Sequence, residues 1–192
     1  MATLLEALGL RIGHEKVFGI REGLGSRDPR WKKWEGDVSW LAAPFLPVED
    51  TVVLHQVRHP LEFVRSTVGF GFLSDERAEL PFPQVVRRHA PEVYEPGSEV
   101  ERGATMWRVW NARVAPHADF TYRLEEFDLP LLLRMCELIE LDVSTERAAQ
   151  AFGEVPTTIN QRARDESIPW EAIAPIVGDA VAQFGYDGGP QR

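Results

Sequence analysis

The segment from Thr51 to Ser66, TVVLHQVRHPLEFVRS, constrains this chain more than any other. Residues 51–58 form a nearly continuous apolar run, the pattern of a strand buried on both faces in a parallel sheet. Pro60 suits the first position of a helix, because its ring fixes φ and the N–H it lacks would be unpaired there anyway. Phe63, Val64, Val68 and Phe72 then predict an apolar helical stripe reaching to about Leu73. A strand that ends in Arg58 and turns at once into a helix delivers a guanidinium to the carboxyl edge of a sheet, where α/β folds bind ligands. Ser66, eight residues on, offers a neutral hydroxyl donor to the same place. Arginine gives bidentate charge-assisted bonds to phosphate oxygens, so the pair predicts an anion grip. The competing reading is an arginine that closes a strand end in a salt bridge.

The rest of the chain alternates in the same way. Leu4, Leu5 and Leu8 lie on one face of a short helix over 2–9 that stops at Gly9, and residues 15–20 suit a short strand or extended segment. A Gly-, Arg- and Trp-rich stretch through Asp37 reads as a surface loop over a site. Trp40 to Leu46 reads as a short helix ending near Pro44, with Asp37 and Ser39 as ordinary capping residues before it. Ser98 and Glu101 have the form of a capping box for a helix carrying Met106, Trp107, Trp110 and Val114 as far as Pro116. Residues 119–124 alternate like a strand. Asp128 then caps a helix to about Leu141, Ser144 caps another to about Phe152, and Pro169 opens a last one ending near Gly185. Strands alternating with helices predict a single α/β layered domain over residues 1–192 with a parallel sheet.

Charge and composition exclude several classes. With 30 acidic against 21 basic residues the formal net charge is −9, which disfavours nucleic-acid binding because counterion release needs clustered Lys and Arg. A small anion remains compatible if a few arginines are focused locally. The lone Cys136 cannot form an internal disulfide, and no apolar run reaches the roughly 18 residues of a membrane span. The N-terminus lacks the basic region and cleavage pattern of a signal peptide, so a cytoplasmic location is expected. His55 and His59 straddle a strand and a turn without further ligands at suitable spacing, so no metal site is expected.

Arg58-His59-Pro60-Leu61-Glu62-Phe63-Val64-Arg65-Ser66 resembles the R-x-P-x-x-x-x-x-S motif by which PAPS-dependent sulfotransferases bind the 3′-phosphate of 3′-phosphoadenosine 5′-phosphosulfate (PAPS) after a core strand. The segment 4–15, then 40–46, Tyr122 to Phe127, and Asn160, Trp170, Gly185 and Tyr186 fit that family's order, so the resemblance spans nearly the whole chain. It implies an N-terminally truncated, P-loop-NTPase-like three-layer α/β fold with PAPS as co-substrate and no metal. Arg58 and Ser66 would be its 3′-phosphate ligands. The partner would be a small-molecule or carbohydrate acceptor, with no nucleic acid and no membrane involved. The family also holds the 5′-phosphosulfate in a glycine-rich loop between a first strand and the first helix, through backbone N–H groups and a basic side chain. This chain begins inside that helix, and no G-x-x-G-[ST]-like sequence precedes Ala2. The expectation is therefore a sheet lacking a central strand, read as a start placed too late, a truncated paralogue, or a sheet completed by another element or chain, with enzyme activity expected if the natural protein has the loop and weak or no PAPS binding expected if the missing part is truly absent.

Sulfuryl transfer needs a base to take the acceptor's proton, and the resemblance points to Glu15, with His14 beside it as second choice. Local hydrogen bonding for His14 and a solvated edge position for Glu15 is the competing reading. Arg123 reads as tying a strand end to Glu125 or Glu126 rather than touching ligand. Trp31 and Trp34, among Arg27, Arg30, Lys32 and Lys33, read either as the lining of an acceptor cleft or as a solvated loop. Trp107, Trp110 and Cys136 read as core. The alternative to the enzyme is a non-catalytic, truncated protein of the same fold that acts as a binding or interaction module, and a nucleotide-dependent kinase is a weaker third reading because no Walker-type lysine or Mg²⁺-binding Ser/Thr loop is visible.

Overall fold

In the computed structural model, which describes residues 1–19, 26–27, 33–155 and 164–186, Leu4, Leu5 and Leu8 bury one face of the first helix, α1 (Ala2–Ala7). The chain then runs through β1 (Ile12–His14), β2 (Phe18–Gly19), β3 (Ser26–Arg27) and β4 (Gly36–Val38). A 3₁₀ segment over Trp40–Phe45 follows, capped by the Ser39 hydroxyl, which accepts from the Leu41 N–H at 3.1 Å. β5 (Leu54–Val57), shorter at both ends than the apolar run 51–58, leads into α2 (Pro60–Gly69), which starts at Pro60 as expected and stops short of Leu73. Val53 is not lost to the pairing, because its carbonyl accepts from the N–H of Asp119 and of Phe120.

Residues 74–98 hold α3 (Pro81–His89) and a 3₁₀ turn at Pro91–Tyr94. α4 (Glu99–Val114) starts at the predicted capping box, with Ser98 and Glu101 bonding each other's backbone N–H. β6 (Phe120–Arg123), α5 (Leu129–Leu138) and α6 (Thr145–Glu154) fall where the sequence predicts them. The expected last helix is broken into a 3₁₀ turn at Trp170–Ala172, α7 (Ala174–Val177) and α8 (Ala180–Gln183). Gly178 breaks it, at φ 49° and ψ −140°, a conformation that essentially only glycine tolerates.

The strands make three two-stranded sheets among the described residues: β1 parallel to β4, β2 antiparallel to β3, and β5 parallel to β6. The protein is thus mixed α/β with short parallel pairs, and the expected single parallel sheet is not formed by these strands. β4 corrects the reading of the stretch through Asp37 as surface loop. Too short to show an alternating pattern, it is built by Glu35, whose N–H donates to the Arg11 carbonyl and whose carboxylate accepts from the Arg11 N–H at 2.7 Å.

Among the described residues, four apolar clusters hold these pieces together. The one that positions the site joins Val57, Leu61 and Val64 to Ala104 and Trp107, and covers them with Ile168, Ile173, Val177, Val181, Phe184 and Tyr186 from the C-terminal segment. A second packs Trp110 with Leu73, Val86 and Val93, while Cys136 is buried in a third with Leu4, Leu8 and Leu132. Trp34 packs on the fourth, formed by Val17, Phe18, Leu41 and Val85, which favours a packing role over a cleft lining. Trp31, Arg30, Lys32 and Asn160 lie outside the described residues.

Candidate functional site

Trp107 fixes the turn from β5 into α2. Its indole Nε1–H donates to the Arg58 carbonyl at 2.8 Å, and the ring is buried against α2. His59 is the N-cap of α2, its imidazole Nδ1 accepting from the Leu61 N–H, while its own N–H donates to Glu125 at 2.7 Å. Glu125 also accepts from the Tyr186 hydroxyl at 2.8 Å, so a residue just past β6 ties the start of α2 to the C-terminal segment. Burial, and then the Glu125 bond, raise the Tyr186 pKa, leaving the phenol a firm donor.

The Arg58 side chain emerges from this turn only 24 % exposed. It makes one ion pair, to Glu62 at 3.7 Å, and its guanidinium forms no hydrogen bond with any described residue. A half-buried group with five N–H donors and one distant partner is under-satisfied. Burial, and then the charge of Arg164, lower its pKa from the ordinary value, with Glu62, Glu125 and Tyr186 opposing. Ser66 is half-buried one helical turn beyond Glu62, and its hydroxyl has no hydrogen-bond partner among the described residues. Arg58 and Ser66 therefore flank Glu62.

Two further arginines converge on that carboxylate. Arg164 donates to Glu62 at 2.7 Å, and Arg65 approaches it at 3.6 Å. The segment 164–168 lies along α2, with the Asp165 N–H on the Arg65 carbonyl and the Arg65 guanidinium on the carbonyls of Glu166 and Ile168. Arg58 and Ser66 stand out in the sequence, whereas the ring as a whole does not. Glu62 and Arg65 were legible in principle, four residues from Arg58 and three from Glu62 on a predicted helix. Arg164, 102 residues from Glu62, carried no local signal.

His14 and Glu15 sit elsewhere, at the end of the β1–β4 pair. Val38 offers His14 Nδ1 only a carbonyl, at 3.0 Å, so Nδ1 is the donor of this bond and Nε2 is the ring nitrogen left for another partner, in an exposed side chain. Glu15 is half-buried at φ 54°, with no partner for its carboxylate among the described residues. Asp37 holds this turn by accepting from the N–H groups of Lys16, Val17 and Phe18 at 3.0, 3.2 and 3.0 Å, rather than capping the segment that follows. Gly13 makes room for it, since a Cβ there would stand 2.4 Å from the Asp37 carboxylate. No hydrogen bond or ion pair among the described residues joins His14 or Glu15 to Arg58 or Ser66.

Arg123 has the structural use expected of it: it pairs with Glu126 and donates to the Gly185 carbonyl. A depression of about 380 Å³ lies beside it, lined by Phe120, Tyr122, Glu126, Leu131 and Arg134, and includes none of the four candidate site residues. His55 is buried against Asn111, which Nε2 meets at 2.9 Å, and Thr121. Among the described residues no group of three or more His, Cys, Asp or Glu is placed to hold a metal ion, and no helix is long and apolar enough to cross a membrane. Comparison of the chain with protein-family models, curated proteins and solved structures returns no match.

Proposed function

We propose that this chain is a sulfotransferase-like protein that takes the 3′-phosphate of PAPS between Arg58, Arg164 and Ser66. The observation that carries the reading is the half-buried Arg58 guanidinium, with no hydrogen bond to any described residue, one helical turn across Glu62 from a Ser66 hydroxyl that has no partner among the described residues. A phosphate would supply the acceptor oxygens that both lack. In the reaction the acceptor hydroxyl or amine attacks sulfur, the bond from sulfur to the 5′-phosphate oxygen breaks, and adenosine 3′,5′-bisphosphate (PAP) leaves. The acceptor's proton goes to His14 Nε2 or to the Glu15 carboxylate. The proposal carries with it a three-layer P-loop-like fold, a cytoplasmic location, a small-molecule or carbohydrate acceptor, and no metal.

Calorimetric titration of PAP tests the nucleotide half. Saturable binding to the chain that disappears in Arg58→Ala supports it, and heats indistinguishable from dilution overturn it. A second reading, a module that binds nucleotide without turning it over, draws on the placement of His14 and Glu15 on a strand pair separate from the one that precedes Arg58. PAP binding without release of PAP from PAPS, in the presence of phenol and amine acceptors, would favour that second reading.

A further inference from the structure

We infer that Glu62 is the resident counter-ion of the arginine ring and makes it selective for a doubly charged phosphomonoester. The inference rests on the anion-site reading above. Three guanidinia share this carboxylate, Arg164 at 2.7 Å, Arg65 at 3.6 Å and Arg58 at 3.7 Å, and they differ in what else holds them. Arg65 is anchored independently by the Ile168 carbonyl at 3.1 and 2.9 Å and by the Glu166 carboxylate at 3.0 Å. Arg58 and Arg164 have no second ion pair among the described residues. An arriving anion thus has two arginines to recruit, while Arg65 stays in place to keep Glu62 paired.

The charges facing the ring come from every element around it. Arg58, Arg65 and Arg164 stand against Glu62 on α2, Glu166 on the C-terminal segment and Glu125 beyond β6, whose field reaches Arg58 together with that of Tyr186. Three cations balance three carboxylates, so a ligand does not enter an empty positive hole. It has to outcompete Glu62, a tethered anion held at high effective concentration in the first turn of α2, where a negative charge is favoured. A phosphodiester or a carboxylate brings one charge, no more than Glu62 itself. A terminal phosphate brings nearly two, and a further oxygen for the Ser66 hydroxyl. Glu62, Arg58 and Arg164 are each 24–31 % exposed, so the exchange is open to a ligand from solvent.

The test titrates adenosine 3′-monophosphate and adenosine 3′,5′-cyclic monophosphate into the wild-type chain, Glu62→Gln and Arg58→Ala by calorimetry. The wild type is expected to favour the monoester by about tenfold or more, the scale of one added charge-assisted contact. Glu62→Gln is expected to bind both nucleotides more tightly and to narrow the ratio to about threefold or less. A wild-type ratio near one overturns the inference, and so does weaker monoester binding by a folded Glu62→Gln. The wild-type ratio decides alone if that variant does not fold. Monoester binding that Arg58→Ala leaves untouched overturns the anion site itself, a failure distinct from that of the Glu62 inference.

Discussion

Arg58 and Ser66 owe their importance to what they do not touch. A guanidinium taken largely out of water normally finds hydrogen bonds for its donors, yet Arg58 has one carboxylate at 3.7 Å and Ser66 has no partner among the described residues. Ser66→Ala should weaken PAP binding by about tenfold, the worth of one hydrogen bond to a charged group, with the fold unchanged by circular dichroism. The two residues were legible because eight residues separate them across one strand-to-helix turn. Arg164 was not, since only tertiary packing of the C-terminal segment brings it to α2. His55 supports a second prediction at this scale. Burial lowers its pKa from about 6.5, with the Asn111 bond opposing, so the folded chain resists a proton that the unfolded chain accepts. His89 shifts the same way through burial and then Arg113 and Arg88. Stability from both is complete above their ordinary value and is lost as pH falls through it towards the folded values. The depressed carboxylates of Glu35, Glu101 and Glu146 act only below their own ordinary value of 4.5. The thermal midpoint should therefore fall between about pH 7.5 and pH 5.5, and His55→Gln should flatten that fall. An unchanged slope in the variant would assign it to other groups.

Between α2 and α4 the packing is set by a glycine. A Cβ on Gly103 would meet the Val64 methyl at 3.4 Å, ordinary contact for one carbon and no room for a branched side chain. Gly103→Val should cost about 1–3 kcal/mol in denaturant unfolding, as an overpacked core does, and should also shift Trp107, which holds the Arg58 carbonyl from the same helix. An unchanged unfolding midpoint would contradict this packing. Ser98→Ala should cost about 1 kcal/mol by removing the capping box at the start of α4. Elements with a strong local signal were legible: the caps at Ser98, Asp128 and Ser144, and the proline that opens α2. β4 and α3 were not. The Gly36–Val38 strand is short, and its partner β1 is remote in sequence, while α3 interrupts its pattern with Pro81, Pro83 and a basic last turn. Gly178, inside a predicted helix, was the overlooked breaker.

Across the molecule, an acidic chain of net charge −9 gathers arginines from two distant segments around one carboxylate. Such focusing suits the small anion proposed above. The same balance makes affinity depend on ionic strength, so PAP binding should weaken as salt rises through the physiological range. β5 and β6 form one parallel pair and β1 and β4 another, so the two halves of the proposed chemistry stand on separate sheets. The alternation of strands and helices made the α/β class legible, but pairing between strands is a long-range property that the pattern does not encode. The strand-to-helix turn at Arg58 is proposed to hold a phosphate. A crystal structure of the chain with PAP tests it most directly. The 3′-phosphate is expected within hydrogen-bond distance of Arg58, Arg164 and the Ser66 hydroxyl, with Glu62 still on Arg65. PAP bound away from α2, with Arg58 still turned to Glu62, would contradict it.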